Sequence, residues 1–187
     1  KDVDCLHPFN IGLLAMGEPV FVPAAALAVQ QLLMRTGNDP AGRHVAVVCG
    51  RNVLLCNSLA LLLAQERRGA SASVTVCRAD APDLADFTRT ADILIASIES
   101  PRAIKADMVK AGAVVIDASL IQVKDASRKQ GYRVEGGVDS GPVSRVAGAI
   151  APAPGGVGPM TIAMLLANTA KAARLITEED PQNEQKL

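Results

Sequence analysis

The stretch "HVAVVCGRNVLLCNSLALLLA", residues 44–64, decides the fold. It opens with a short Val-rich apolar run, passes a single glycine, Gly50, and continues as an apolar run of helix-forming residues. A short β-branched run bounded by a turn reads as a buried strand, and a Leu- and Ala-rich run as a buried helix. Residues 44–49 are therefore predicted as a strand and residues 57–65 as a helix. A second stretch, "APAPGGVGPMTIAMLLANT" at residues 151–169, has the same layout but an elaborate turn of prolines and glycines. Prolines fix φ, and glycines adopt conformations closed to other residues, so this turn is rigid and specific. The counterpart after residue 49 has been stripped to one glycine.

Working outward, the same alternation recurs. Helices are predicted over residues 23–34 and 83–88, and a turn or short helix over 101–109. Further strands are predicted over 72–77, 91–97, 113–118, 133–138 and 148–151, with a charged surface loop or hairpin at 124–132. A closing helix runs from Pro159 to about Ile176. Short buried strands alternating with helices imply an α/β fold, a Rossmann-like doubly wound parallel sheet. The organisation read from this pattern is an opening segment over 1–22, a Rossmann-like domain over 23–176 and a polar tail over 177–187.

Composition narrows the function. The chain has 187 residues, formal net charge zero, 49% apolar and only 2% aromatic residues, with no Trp. Neither an electrostatic footprint for nucleic acid nor a base-stacking platform is present. Cys5, Cys49, Cys56 and Cys77 form no CxxC pair, and two histidines complete no zinc spacing, so no metal site is assigned. They read as buried reduced thiols. No apolar run reaches the length of a membrane span. The first residue is not Met, and residues upstream are expected.

In a doubly wound sheet, ligands sit beyond the carboxyl ends of the strands, and glycines after the first strand let backbone amides approach a pyrophosphate. Gly50 stands where it should. Leu54, Leu55 and Cys56 stand where a phosphate would need room, so the dinucleotide signal is weak. The turn at 152–159 reads either as one wall of a ligand pocket or as a structural crossover.

"PGGVGPMTIAMLLANT" at 154–169 resembles the C-terminal signature of the bifunctional methylenetetrahydrofolate dehydrogenase/cyclohydrolase family. "KDVD" at 1–4, followed by "HPFNIGLLAMGEP", resembles that family's segment joining its two domains. "AGRHVAVVCGRN", "ADILIASIESP", "IKADMVKAGAVVIDAS" and "GYRVEGGVD" follow in the family's order. The resemblance implies an enzyme that oxidises methylene-tetrahydrofolate with NADP or NAD and hydrolyses the methenyl product. It implies an N-terminal folate domain that supplies a catalytic Tyr-x-x-x-Lys pair. Tyr132, the only tyrosine here, has no Lys four residues on, so no catalytic residue is assigned. Asp4 matches the folate-binding aspartate, and Pro154, Gly155 and Gly156 would close the folate cleft. Gly50, Arg51, Asn52, Arg78 and Gly158 are the candidate cofactor-binding residues, Arg78 as a substitute partner for the 2′-phosphate.

The departures from the family pattern cluster at the strand ends. After the first strand Asn52 stands for Ser, Leu55 for Val, Cys56 for Gly and Ser58 for Pro. Glu99 and Ser119 each stand for Gly, Gly137 for Asp, and Ala79 for the Ser that helps hold the 2′-phosphate. A carboxylate at position 99 repels a phosphate by roughly 1–4 kcal/mol at 4 Å, and Cys56 adds a steric barrier. Two functions follow. The chain is a family member that has lost catalysis and serves as a structural or interaction subunit of a larger assembly, such as a mitochondrial ribonucleoprotein particle, with NADP or NAD bound weakly or not at all. Alternatively it belongs to an active NADP-dependent enzyme of one-carbon metabolism. The implied partners are the N-terminal folate domain or other protein subunits, in a homodimer or larger assembly, with no membrane and no nucleic acid. The implied compartment is the mitochondrial matrix or the cytoplasm.

Overall fold

A computed structural model gives the fold and describes residues 2–178. The chain begins with α1 (Pro8–Ala15) and α2 (Ala24–Arg35), then β1 (His44–Cys49), α3 (Val53–Leu63), β2 (Ser73–Arg78), α4 (Leu84–Thr88) and β3 (Ile93–Ser97). A single 3-10 turn at Ala106–Met108 leads to β4 (Val114–Asp117), followed by β5 (Ile121–Lys124), β6 (Tyr132–Glu135), α5 (Ser140–Val143), β7 (Ala149–Ala151) and α6 (Val157–Glu178). The main sheet has the order β2-β1-β3-β4-β7, and every pairing in it is parallel.

Burial explains the strands. In β1 the side chains of Val45, Val47 and Cys49 face α2, α3 and α6, while Ala46 and Val48 face α4, the 3-10 turn and α5. β3 divides in the same way, with Ile93 and Ile95 on one side and Leu94 and Ala96 on the other. Both faces are covered, so the strands read as continuous apolar runs rather than alternating ones.

Four features differ from the sequence reading. α3 starts at Val53 rather than at residue 57, because Asn52 Oδ1 accepts the Leu55 N–H at 3.3 Å and caps the helix. Residues 121–124 form β5, which was not anticipated. It pairs with β6 in a separate antiparallel hairpin, so the 133–138 strand does not join the main sheet. Residues 136 and 137 turn away from that hairpin, and their carbonyls accept the N–H groups of Arg102 and Ile104 at 3.0 Å. Finally, α6 packs chiefly on α2 rather than on β1, and it runs through Glu178. Asn168 fixes it there, donating to Val3 O at 2.8 Å and Val22 O at 2.9 Å. The segment before α2 contains α1, whose Leu14 is buried in the same core. Of the polar tail read over 177–187, residues 179–187 lie outside the described residues.

Candidate functional site at the strand carboxyl ends

β2 lies on one side of β1, and β3 and β4 lie on the other, so the chain reverses direction across the sheet between β1 and β3. Loops from these two strands diverge at that point and leave a crevice, which is where ligands bind in open α/β sheets. The crevice here is floored by Gly50 and Arg51 after β1 and by Ile98 and Glu99 after β3. Gly50 N–H donates to Ser97 O at 2.8 Å and ties the two loops together. Arg51 N–H donates to Glu99 Oε1 at 2.8 Å. The other Glu99 oxygen packs over Gly50 so closely that any side chain at position 50 would overlap it.

Beside this point lies a cavity of about 390 Å³. Asn52 and Leu55 from the start of α3, residues 117–120 at the end of β4, and residues 153–158 with Thr161 and Ile162 line it. The loop leading into α6 has a cis Ala153–Pro154 bond and holds Gly155 at φ +117°, a conformation that side chains rarely adopt. Gly156 donates its N–H to Pro152 O at 3.0 Å, and a Cβ there would come within 2.9 Å of the same oxygen. Two positions of the Pro-Gly turn are thus dictated by backbone geometry.

Asn52, Pro154, Gly155, Gly156 and Gly158 converge on this one cavity. Gly50 and Arg51 immediately precede Asn52 but do not line the cavity. Asp4 lies behind it, with Oδ1 accepting the N–H of Ala24, the neighbour of cavity-lining Ala25, at 2.9 Å. Arg78 ends β2, and its guanidinium is already held in two parallel bonds by Asp80, each 3.0 Å. Both partners are exposed, so the pair is a weak one, and it engages two of the five N–H donors of the guanidinium.

Cys56 requires correction. Its side chain is fully buried in the core between α3 and the sheet, not in the crevice, and presents no barrier to a phosphate. Burial, followed by the neighbouring Cys49, pushes its thiol well above the ordinary thiol range. Leu55 is buried as well, although it reaches the cavity. All four cysteines are buried and unpaired. Among the described residues no group of His, Cys, Asp and Glu is arranged to hold a metal ion, and no helix is long and apolar enough to cross a membrane.

The sequence reading missed Asp117. This carboxylate is buried beside the cavity, and it accepts the Ser119 N–H at 3.0 Å and the Val138 N–H at 2.9 Å. A lone carboxylate at the end of the apolar run "AVVIDA" was its signal. Ser119 was noted only as a lost glycine, yet its hydroxyl accepts the Ile98 N–H at 3.1 Å. A Cβ at Gly137 would overlap the Ile98 side chain first and lie 2.6 Å from Ser119 Oγ, so Ile98 and Ser119 together leave no room for a side chain at 137.

The cavity has room for a ring system, and the Arg51 backbone amide at the crevice is bonded to the Glu99 carboxylate.

Comparison with known proteins identifies the fold. The family model for the NAD(P)-binding domain of tetrahydrofolate dehydrogenase/cyclohydrolase matches residues 23–177. The chain is 49% identical to the bifunctional protein FolD of Syntrophus aciditrophicus over 175 residues, covering 94% of this chain and 59% of that protein. It is 42% identical to the FolD of Flavobacterium johnsoniae, with the same coverage. Among solved structures, a methylenetetrahydrofolate dehydrogenase from the silkworm Bombyx mori superposes with a TM-score of 0.85 at 41% identity, covering 96% of this chain and 61% of that one. The Trypanosoma brucei methylenetetrahydrofolate dehydrogenase-cyclohydrolase, solved with NADP and an inhibitor, gives 0.84 at 39% identity, covering 91% and 57%. The chain thus spans about three fifths of the length of these relatives. On the sheet order, the crevice and these matches together, the chain belongs to the tetrahydrofolate dehydrogenase/cyclohydrolase family and carries its NAD(P)-binding domain.

Proposed function

We propose that this domain forms the cofactor side of a methylenetetrahydrofolate dehydrogenase/cyclohydrolase-type protein, with the pterin and nicotinamide wall kept and the hold on dinucleotide phosphates weakened. The observation that carries this reading is the contrast within one site. The cavity built by Asn52, Asp117 and the 153–158 loop is intact, while Arg51 N–H and Arg78 are both occupied by carboxylates of the chain itself. The Trypanosoma brucei relative was solved with NADP, which makes NADP or NAD the ligand to test. Gly50, Arg51, Asn52 and Gly158 would face the cofactor, and Asp4, Pro154, Gly155 and Gly156 the folate. No Tyr-x-x-x-Lys pair occurs in this sequence, so proton transfer at the folate would rest on residues of another domain.

A second reading, a catalytically silent subunit that serves by contact, draws on one further observation. Ile162, Leu165 and Leu166 lie on one face of α6 and are 64%, 37% and 66% exposed, and Leu120 beside them is 65% exposed. A folate-side domain or another subunit would cover this apolar face in either reading.

Calorimetric titration of the intact protein with NADP, NAD and a reduced folate separates the two. The first reading expects measurable folate and dinucleotide binding, with dinucleotide dissociation constants above the low micromolar range. Absence of binding by all three ligands would leave only the contact role.

A further inference from the structure

We propose that Glu99 is a resident anion that takes the place of a dinucleotide phosphate at the crevice, and so sets how tightly this site holds phosphate-bearing ligands. The inference rests on the cofactor-side reading above and names the cause of its weakened phosphate hold.

Three observations meet at this residue. First, its location is the reversal point of the sheet, where the loops after β1 and β3 part. Second, its Oε1 accepts the Arg51 N–H at 2.8 Å, the geometry of a charge-assisted hydrogen bond between a backbone amide and an anion. Third, Oε2 packs against Gly50 with no space for a Cβ. The retained glycine of the stripped turn thus makes room for a carboxylate that belongs to the chain. A ligand phosphate approaching the Arg51 amide must displace Glu99 and then remain beside its charge. The Arg78 guanidinium at the end of β2 offsets that charge only in part, because its first partner is Asp80. The Glu99 side chain itself is exposed, so it can swing away when the competition for the Arg51 amide is won.

This arrangement accounts for the pattern of departures better than piecemeal loss does. Decay would leave amides unpaired and gaps unfilled. Here the Arg51 amide is bonded, Ser119 bonds the Ile98 N–H, and Gly137 accommodates Ser119. No buried side-chain polar atom lacks a partner among the described residues. The crevice is rebuilt around an internal anion.

The test is a titration of the intact protein with NADPH and NADH, comparing wild type, Glu99→Gly and Glu99→Gln. Replacing an anion on the amide by an open amide restores a charge-assisted hydrogen bond, so Glu99→Gly is expected to tighten NADPH binding by about 10- to 100-fold. Glu99→Gln keeps the side-chain size and the hydrogen bond to Arg51 but loses the charge, and is expected to give a smaller tightening. That variant also guards against a folding defect in the glycine form. Backbone amide NMR supplies a second readout: the Arg51 resonance should move on addition of inorganic pyrophosphate in Glu99→Gly and stay in place in the wild type. Equal, measurable affinity in all three proteins would overturn the role of Glu99 while leaving the cofactor site standing. No dinucleotide binding in any of them, with an unmoved Arg51 amide, would overturn both.

Discussion

At the scale of single residues, the site depends on a buried carboxylate and a glycine that makes space for it. Asp117 satisfies two buried amides, those of Ser119 and Val138. Gly136 lies against Asp117 Oδ2, so an added methyl group would push the carboxylate off the Val138 amide. An amide left unpaired in the interior costs about 1–3 kcal/mol. Gly136→Ala and Asp117→Ala are therefore each expected to destabilise the protein by about 2 kcal/mol or more. The two changes share one contact, so they should not add. Asp117→Ala empties the space that the new methyl group needs, and the double variant should lose less than the sum of the single losses. Urea unfolding of the four proteins measures this coupling, and strict additivity would show that the carboxylate is not held against Gly136.

At the scale of elements, the strands were legible and the boundaries of α3 were not. β1, β3 and β4 are buried on both faces, and that burial writes Val, Ile, Leu, Ala or Cys into most positions. β5 escaped notice because it is four residues long, alternates, and pairs only with β6. The start of α3 is hard to read in the sequence because a single side chain marks it: Asn52, spaced to Leu55 as an N-cap. With the helix starting at Val53, positions 55, 56, 59, 62 and 63 turn inward together, and Cys56 goes into the core. Asn52→Ala should cost about 1 kcal/mol through loss of the cap, and Asn52→Ser should restore most of it. Cap loss frees the Leu55 amide at the cavity edge, so its hydrogen exchange should quicken in Asn52→Ala and not in Asn52→Ser. Unchanged exchange would remove the cap from the account of how α3 begins.

At the scale of the whole molecule, sequence disclosed the family and the sheet, because both are written in local patterns. The central contact of the crevice was hidden, because Glu99 and Arg51 are 48 residues apart and only the folded sheet brings them together. Long-range contacts also set how stability follows pH. Asp92 precedes β3 and accepts the His44 N–H at the start of β1 at 3.0 Å and a bond from Lys110 Nζ at 2.6 Å before β4. Lys110, then the His44 amide, hold its carboxyl below the ordinary 3.8. The unfolded chain takes up that proton first, so the contribution of Asp92 is present above 3.8 and is lost as pH falls below it. At the alkaline end, burial, then the charges of Asp2 and Asp4, push the Cys5 thiol up from 9.0 to about 11. The unfolded thiol ionises first there, so its contribution is present below 9.0 and is lost between 9.0 and about 11. Cys77 and Cys56, also raised by burial, act in the same direction. The urea midpoint should therefore form a plateau across neutral pH with a fall at each end. Asp92→Asn should lower the plateau and flatten part of the acid limb, because one of the groups that titrate there is gone while Asp2, Asp80, Asp125 and Glu135, also held low, remain. Cys5→Ala should flatten part of the alkaline limb and leave the acid limb untouched. An acid limb that keeps its wild-type slope in Asp92→Asn would show that the strand starts are not held together through this carboxylate.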